Sequence, residues 1–300
     1  MFTTPHNDQL DDALRSLGIS PKSSWIDYFE SGWHWTLLAL FVIPVFLYML
    51  FTFGMPVVAG PMASWVPETV KQDIDAGAID FLDEWLLMPS GLTTERREAL
   101  AETFGRVSRF SPTKPAQILF RSGGALGANA MALPGGTIIF TDELVELAEH
   151  EGELVAVYVH ELGHLANNHS MRNMMQTAGV TFVLGWMLGD LTMITDVVLV
   201  GTPVLMQQMS YSRGFEREAD EFAMMQLDIS GYSRSCFADM IERLSKQHGR
   251  EMQSETSYFS SHPAPARRVN MSRSASACAD YRPDVSPPED KARERGDHSE

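Results

Sequence analysis

The chain is short of cysteine and of positive charge, and each shortage excludes something. Cys236 and Cys278 are its two cysteines and no CxxC spacing occurs, so cysteine zinc sites and a multi-bridge framework are ruled out, while one bond between the pair stays open. Lysine and arginine total 23 against 39 aspartates and glutamates, a formal net charge of -16. So acidic a chain repels phosphate backbones, and no basic stripe reverses this locally, so no nucleic acid is expected as a partner. Residues 1–30 offer no early apolar stretch of the kind a cleavable export signal needs. Charge is missing entirely from Ser31 to Pro67.

That uncharged stretch contains WTLLALFVIPVFLYMLFTFGMPVVA, Trp35 to Ala59, apolar and long enough to cross a bilayer. Trp33, Trp35 and Trp65 flank it where amphipathic rings favour headgroups, and Pro44 inside it is better tolerated in lipid than in a soluble helix. One transmembrane helix over residues 34–59 is expected, with the lipid bilayer as a partner. Arg15 and Lys22 precede it and Lys71 follows, a bias that favours an inside N-terminus and an extracytoplasmic remainder. The expected order is a polar tail 1–33, the span 34–59, a helical lead-in 60–112, a main domain 113–280 and a disordered polar tail 281–300.

Helical periodicity marks 68–87 and 93–110 on either side of a Pro-Ser-Gly break. Beyond Pro112, AQILFR reads as a strand, SGGALGANAMALPGG as a turn-rich loop and TIIF as a second strand. TDELVELAEHEGELVAVYVHELGHLANNH then runs at helical period, with Thr141 placed as its cap, Asp142 and Glu143 in its first turn and Gly152 as a candidate break. Residues 178–206 are apolar but interrupted by Asp190 and Asp196, and neither uncharged half reaches spanning length. They read as a helical hairpin packed on the protein in preference to dipping into lipid. The fold class is mainly α with a small β-sheet, an α+β arrangement.

The chemistry concentrates in VHELGHLANNH, residues 159–169. His160 and His164 lie four residues apart, so on a helix their imidazoles share a face one turn apart, which suits capture of a tetrahedral zinc. Glu161 beside them can take a proton from an attacking water without itself ligating. The flanking sequence is apolar, and burying two histidines and a glutamate is costly unless they are paired or ligated. His169 reads as lining the helix end. For a third ligand, YSRGFEREADEF offers Glu216, Glu218 and Asp220 on one helix. Glu216 and Asp220 share a face, so one can ligate while the other accepts the free ring N–H of a ligating histidine. Spacing alone does not choose among the three.

In this order, NAMALPGGTIIFTDELVELAEHEGELVAVYVHELGHLANNHS, SRGFEREAD and SHPAPARR resemble the motifs of the HtpX, BepA, OMA-type and CAAX prenyl protease family of zinc metallopeptidases, over roughly residues 113–270. The resemblance implies a zincin-like domain holding one zinc per chain on His160, His164 and Glu216, with Glu161 as general base and Asp220 partnering a ligand. It further implies that His262 faces the oxyanion and that Arg268, with Arg267 as neighbouring alternative, contacts substrate. The segment NAMALPGGTIIF implies an edge strand above the metal helix, where Gly135 and Gly136 permit close approach of an extended peptide; an ordinary tight turn accounts for the glycines equally well. Family members of the HtpX and CAAX types carry more spans, so the single span points to a single-anchor, periplasm-facing or OMA-like arrangement and away from prenylated substrates.

The expected function is therefore a membrane-anchored zinc metalloendopeptidase acting on unfolded or membrane and envelope proteins. The competing readings are a zinc-binding chaperone or assembly factor without proteolysis, and a self-inhibited protease whose cleft is blocked by the 178–206 hairpin or by His169 as a fourth ligand.

Overall fold

The computed structural model describes residues 33–188, 211–250 and 265–273, together with Ser16, Tyr258, His262, Ala277 and Cys278. Most of the expected N-terminal tail, the second half of the 178–206 hairpin and the polar tail 281–300 lie outside the described residues. The chain divides into a unit ending at Met55 and a larger one from Pro56 onward. Helix α1 (Trp33–Met49) runs through a π-helical turn (Leu50–Gly54) into α2 (Met55–Trp65). Within it, Trp35–Trp65 is long and apolar enough to cross a membrane and its most apolar stretch is unburied. Its 31 residues extend about 46 Å at 1.5 Å per residue, against a hydrocarbon core of about 30 Å. The apolar helix continues past residue 59 as far as Trp65.

Helix α3 (Glu68–Trp85) buries Lys71, Asp75, Ala78 and Leu82, a single face at spacings of three and four. After β1 (Met88–Pro89), α4 (Thr94–Ser108) begins at Thr93, whose side chain accepts the Arg96 N–H. Leu100, Phe104 and Val107 of α4 are buried, and the Phe104 ring stacks 4.4 Å from Tyr158 and 5.1 Å from Phe140. Helix α4 therefore packs into the main core, on the near side of the boundary expected at residue 112.

Strands β2 (Gln117–Ser122), β3 (Ala130–Ala132) and β4 (Thr137–Thr141) join β1 in a sheet of order β1-β2-β4-β3. The β2 and β4 pair is parallel, while β1 and β3 are antiparallel to their neighbours. TIIF thus becomes an interior strand, buried at every position, as its unbroken apolar run allows. The edge falls instead on Ala130–Ala132, inside the segment that reads as a loop; three residues carry too little alternation to announce a strand. Leu133 N–H donates to Thr137 and Thr141 N–H to Asn129 across the β3–β4 ladder. The alternation of an antiparallel pair then directs the amides and carbonyls of Ala130 and Ala132 away from the sheet.

Thr141 caps α5 (Asp142–Leu147), accepting the Leu144 N–H. The long helical pattern breaks at Ala148–His150 and resumes as α6 (Glu151–Ala166), with Gly152 in its first turn. Every residue of α6 from Gly152 to His164 is buried, because α4, β3, α8 (Arg213–Ile229) and α9 (Ser235–Arg250) surround it. Glu153 is tolerated there because Arg243 Nε lies 3.1 Å from both its oxygens. The Cys236–Cys278 disulfide forms against the same turn of α6. Helices α7 (His169–Leu188) and α10 (Pro265–Ser272) are the remaining α-helices among the described residues.

Candidate metal centre

On α6 the helical period places His160 and His164 on one face, with their Nε2 atoms 3.0 Å apart. Between them sits Gly163, where an added Cβ would come 2.9 Å from the Ala219 backbone. The bare glycine lets α8 lie directly on α6, and that approach delivers the carboxylates. Glu216 Oε1 lies 3.4 Å from His164 Nε2, and its Oε2 lies 3.7 Å from His160 Nε2. One turn on, Asp220 Oδ1 is 3.0 Å from the other nitrogen of His160, Nδ1. Glu218 points elsewhere, with Oε2 3.0 Å from His169 Nε2. The three acids that spacing left equivalent are thus separated by contact.

His262 enters from the C-terminal segment, its Nδ1 3.0 Å from Glu216 Oε1 and 3.3 Å from His160 Nε2. Its ring stacks on Tyr258 at 4.4 Å, and its Nε2 is 3.5 Å from Glu161 Oε1. The expected oxyanion-facing residue therefore stands among the donors themselves. His169 meets His164 at Nδ1, the nitrogen turned away from the donors, so the fourth position falls to His262. Arg268, expected to contact substrate, is placed among the carboxylates of α8. It is buried, its Nε and Nη2 grip Asp220 at 2.9–3.1 Å, and its Nη1 reaches Glu216 Oε2 at 2.9 Å. The side chain of Arg267 lies outside the described residues.

Gly135 and Gly136 are likewise committed to the fold. The Gly135 N–H donates to Asp75 at 2.7 Å, an added Cβ there would come 2.7 Å from Lys71 O, and Gly136 adopts φ 97°. They shape the turn into β4 against α3. The backbone groups that face away from the sheet belong to Ala130 and Ala132.

Burial governs the electrostatics. It pushes the Glu161 carboxyl up to about 7, against the pull of His262 and Arg268, and neither of its oxygens has a well-formed hydrogen bond. Burial also pushes His160 and His164 well below the ordinary histidine range, which keeps both neutral and able to offer a lone pair. Glu216 is driven up by burial but held well below the carboxylate range by His262, His164 and His160. Burial raises Asp220, with Arg268 pulling it back.

The donor geometry fits a metal. His160, His164, Glu216 and His262 each place one ligand atom within 4.8 Å of the others. A tetrahedron with bonds of about 2.0–2.1 Å has edges of about 3.3 Å. The separations 3.0, 3.3, 3.0 and 3.4 Å running His164–His160–His262–Glu216–His164 scatter about that length.

Comparison with known sequences agrees. Peptidase family M48 matches residues 92–275. The chain belongs to peptidase family M48. The match begins at α4, in keeping with the place of that helix in the core. Among curated relatives of this M48 chain, the beta-barrel assembly-enhancing protease of Yersinia pestis is 30% identical over 156 residues, 48% of this chain and 32% of the relative. Metalloprotease LoiP of Escherichia coli is 30% identical over 152 residues, 48% of this chain and 57% of LoiP. Mitochondrial metalloendopeptidase OMA1 of Arabidopsis thaliana is 28% identical over 146 residues, covering 48% and 28%. The chain thus spans about a third of the length of the beta-barrel assembly-enhancing protease, little more than a quarter of OMA1 and somewhat over half of LoiP.

Proposed function

We propose that this M48 chain is a membrane-anchored zinc metalloendopeptidase that cuts unfolded, membrane or envelope proteins. The convergence of His160 Nε2, His164 Nε2 and Glu216 Oε1 beside the buried carboxylate of Glu161 carries the reading. Bound zinc would supply Lewis acidity at the scissile carbonyl and acidify an attacking water. Glu161, raised toward neutrality by burial, takes the proton of that water and returns it to the leaving amine. Asp220 accepts from His160 Nδ1 and is itself fixed by Arg268, which orients the imidazole. The outward backbone groups of Ala130 and Ala132 have the geometry for main-chain hydrogen bonds to an extended peptide, with the Ala132 carbonyl held here by Ser170.

The relatives' names support the substrate class: one is described as a β-barrel assembly-enhancing protease. The Cys236–Cys278 disulfide supports an extracytoplasmic catalytic domain, since such bonds persist in oxidising compartments. The purified full chain is expected to hold one zinc and to cleave an unfolded model protein. Glu161→Gln should lower cleavage by about 10²–10⁴-fold while zinc is retained. Cleavage that survives the substitution removes the mechanism, and client protection against aggregation that is indifferent to it would favour the chaperone reading.

One observation favours a second reading, a self-inhibited protease. Catalytic zinc sites keep an open position, whereas His262 stands as a fourth donor. His262→Ala separates the two roles: activity rises if this imidazole blocks the site and falls if it steadies the oxyanion.

A further inference from the structure

The two histidines of α6 are oriented by different neighbours. His160 turns its Nδ1 directly to Asp220, 3.0 Å away. At His164 the neighbour is another imidazole, with His169 Nδ1 3.0 Å from His164 Nδ1. The row continues from His169 Nε2 to Glu218 Oε2 at 3.0 Å and ends at Arg172 Nη1, 3.1 Å from the same oxygen. The His169 ring is fully buried and lies parallel to Phe215, centroids 4.4 Å apart at 10°, and the Arg172 guanidinium sits 4.4 Å over that phenyl ring.

Local backbone geometry creates the contact. In an unbroken helix, residue 169 would sit about 140° around the axis from residue 164, on another face. The helix ends instead, and Asn168 takes φ 52°, a left-handed conformation that asparagine accepts more readily than most residues. Lys71 Nζ holds its side chain at 3.3 Å. The chain re-enters a helix at His169 with the imidazole against His164.

Proton placement gives the row a direction. Two facing Nδ1 atoms share a hydrogen bond only when one of them carries the proton. Ionised Glu218, paired with Arg172, only accepts, so His169 carries its proton on Nε2 and presents a bare Nδ1. His164 then carries its own proton on Nδ1 and leaves Nε2 bare toward His160 and Glu216, the tautomer a metal ligand needs.

We propose that His169, backed by Glu218 and Arg172, is a positioning residue that fixes the tautomer and ring orientation of His164. The proposal rests on the zinc reading given above. It is tested by chelator-competed zinc affinity of the full chain, together with the visible spectrum of its cobalt-substituted form, for wild type, His169→Leu, His169→Asn and Glu218→Gln. His169→Leu keeps bulk and loses the acceptor, and should weaken zinc binding by about 10–100-fold with an altered cobalt spectrum. His169→Asn restores an acceptor near the Nδ1 position and should recover most of the affinity and the wild-type spectrum. Glu218→Gln, a near-isosteric change at a half-exposed side chain, should weaken zinc binding by about threefold or more. Wild-type affinity in His169→Leu, or equal loss in the leucine and asparagine variants, overturns the relay while the zinc reading stands. If His169→Leu fails to fold, unchanged affinity in Glu218→Gln overturns it. A wild-type chain that binds no zinc overturns the zinc reading itself, and the relay with it.

Discussion

The donor group draws on two regions held by different forces. His160, His164 and Glu216 sit on α6 and α8, which are packed backbone to backbone through Gly163 and Ala219 inside the main core. His262 comes from a C-terminal segment whose described residues are secured by the Tyr258 stack, the Arg268–Asp220 ion pair and the Cys236–Cys278 bond. The first three donors cannot leave without unpacking the core. The fourth shares that core through Tyr258 and Cys278, and is held in addition by an ion pair and a disulfide that can be broken one at a time.

Replacing both cysteines with alanine breaks the comparison at its weaker side. The bond closes a sequence separation of 42 residues, and in the chain-entropy account its removal costs about 4 kcal/mol. Calorimetry of the double variant should show that loss as a lower melting temperature. Zinc content should stay at one per chain, because the α6 and α8 ligands are untouched. Loss of zinc would show that the two regions are one.

The converse test strikes the packed side. In Gly163→Ala the new Cβ meets the Ala219 backbone at 2.9 Å, and neither backbone can swing aside as a flexible side chain would. The expected cost is about 1–3 kcal/mol. Zinc affinity should fall about tenfold or more, as Glu216 is pushed beyond the roughly 0.2 Å tolerance of a metal site. Gly77→Ala is the control: it lies on α3 with nothing within 4 Å of its added Cβ, and should raise stability by up to about 1 kcal/mol. Equal outcomes at the two glycines would deny Gly163 its spacing role.

What the sequence shows of this site follows from what a helix fixes by itself. The four-residue steps from His160 to His164 and from Glu216 to Asp220 put each pair on one face whatever surrounds them, and Thr141 announces the cap it becomes. The division of labour between Glu216, Glu218 and Asp220 is invisible at that level, because it depends on how closely α8 approaches α6. Gly163 sets that approach and carries no chemical signature. His169 is hidden for a related reason: its contact with His164 needs the left-handed Asn168, and helical spacing alone separates the two rings. Strand β3 escapes because its three residues gain their ladder only from β4. The resemblance alone implies a substrate role for Arg268; its ion pairs with Glu216 and Asp220 depend on how α10 meets α8 and have no signature in the sequence.

The smallest expected effect probes where the packed region meets a bound peptide. Ser170 Oγ donates to the Ala132 carbonyl at 2.6 Å and lies 2.7 Å from the Tyr211 hydroxyl. That carbonyl is one of the outward groups of the edge strand, so Ser170 competes for it with any peptide laid alongside. Ser170→Ala removes both contacts and should cost about 1–2 kcal/mol of stability, at about 1 kcal/mol for a neutral hydrogen bond. Freed of the serine, the carbonyl should bind an extended substrate more tightly, lowering KM by up to about fivefold, the affinity equivalent of one such bond, with kcat unchanged. A KM that rises instead would show that the serine holds the edge strand in its binding shape, and would place Ala132 with the packed scaffold instead of the substrate surface.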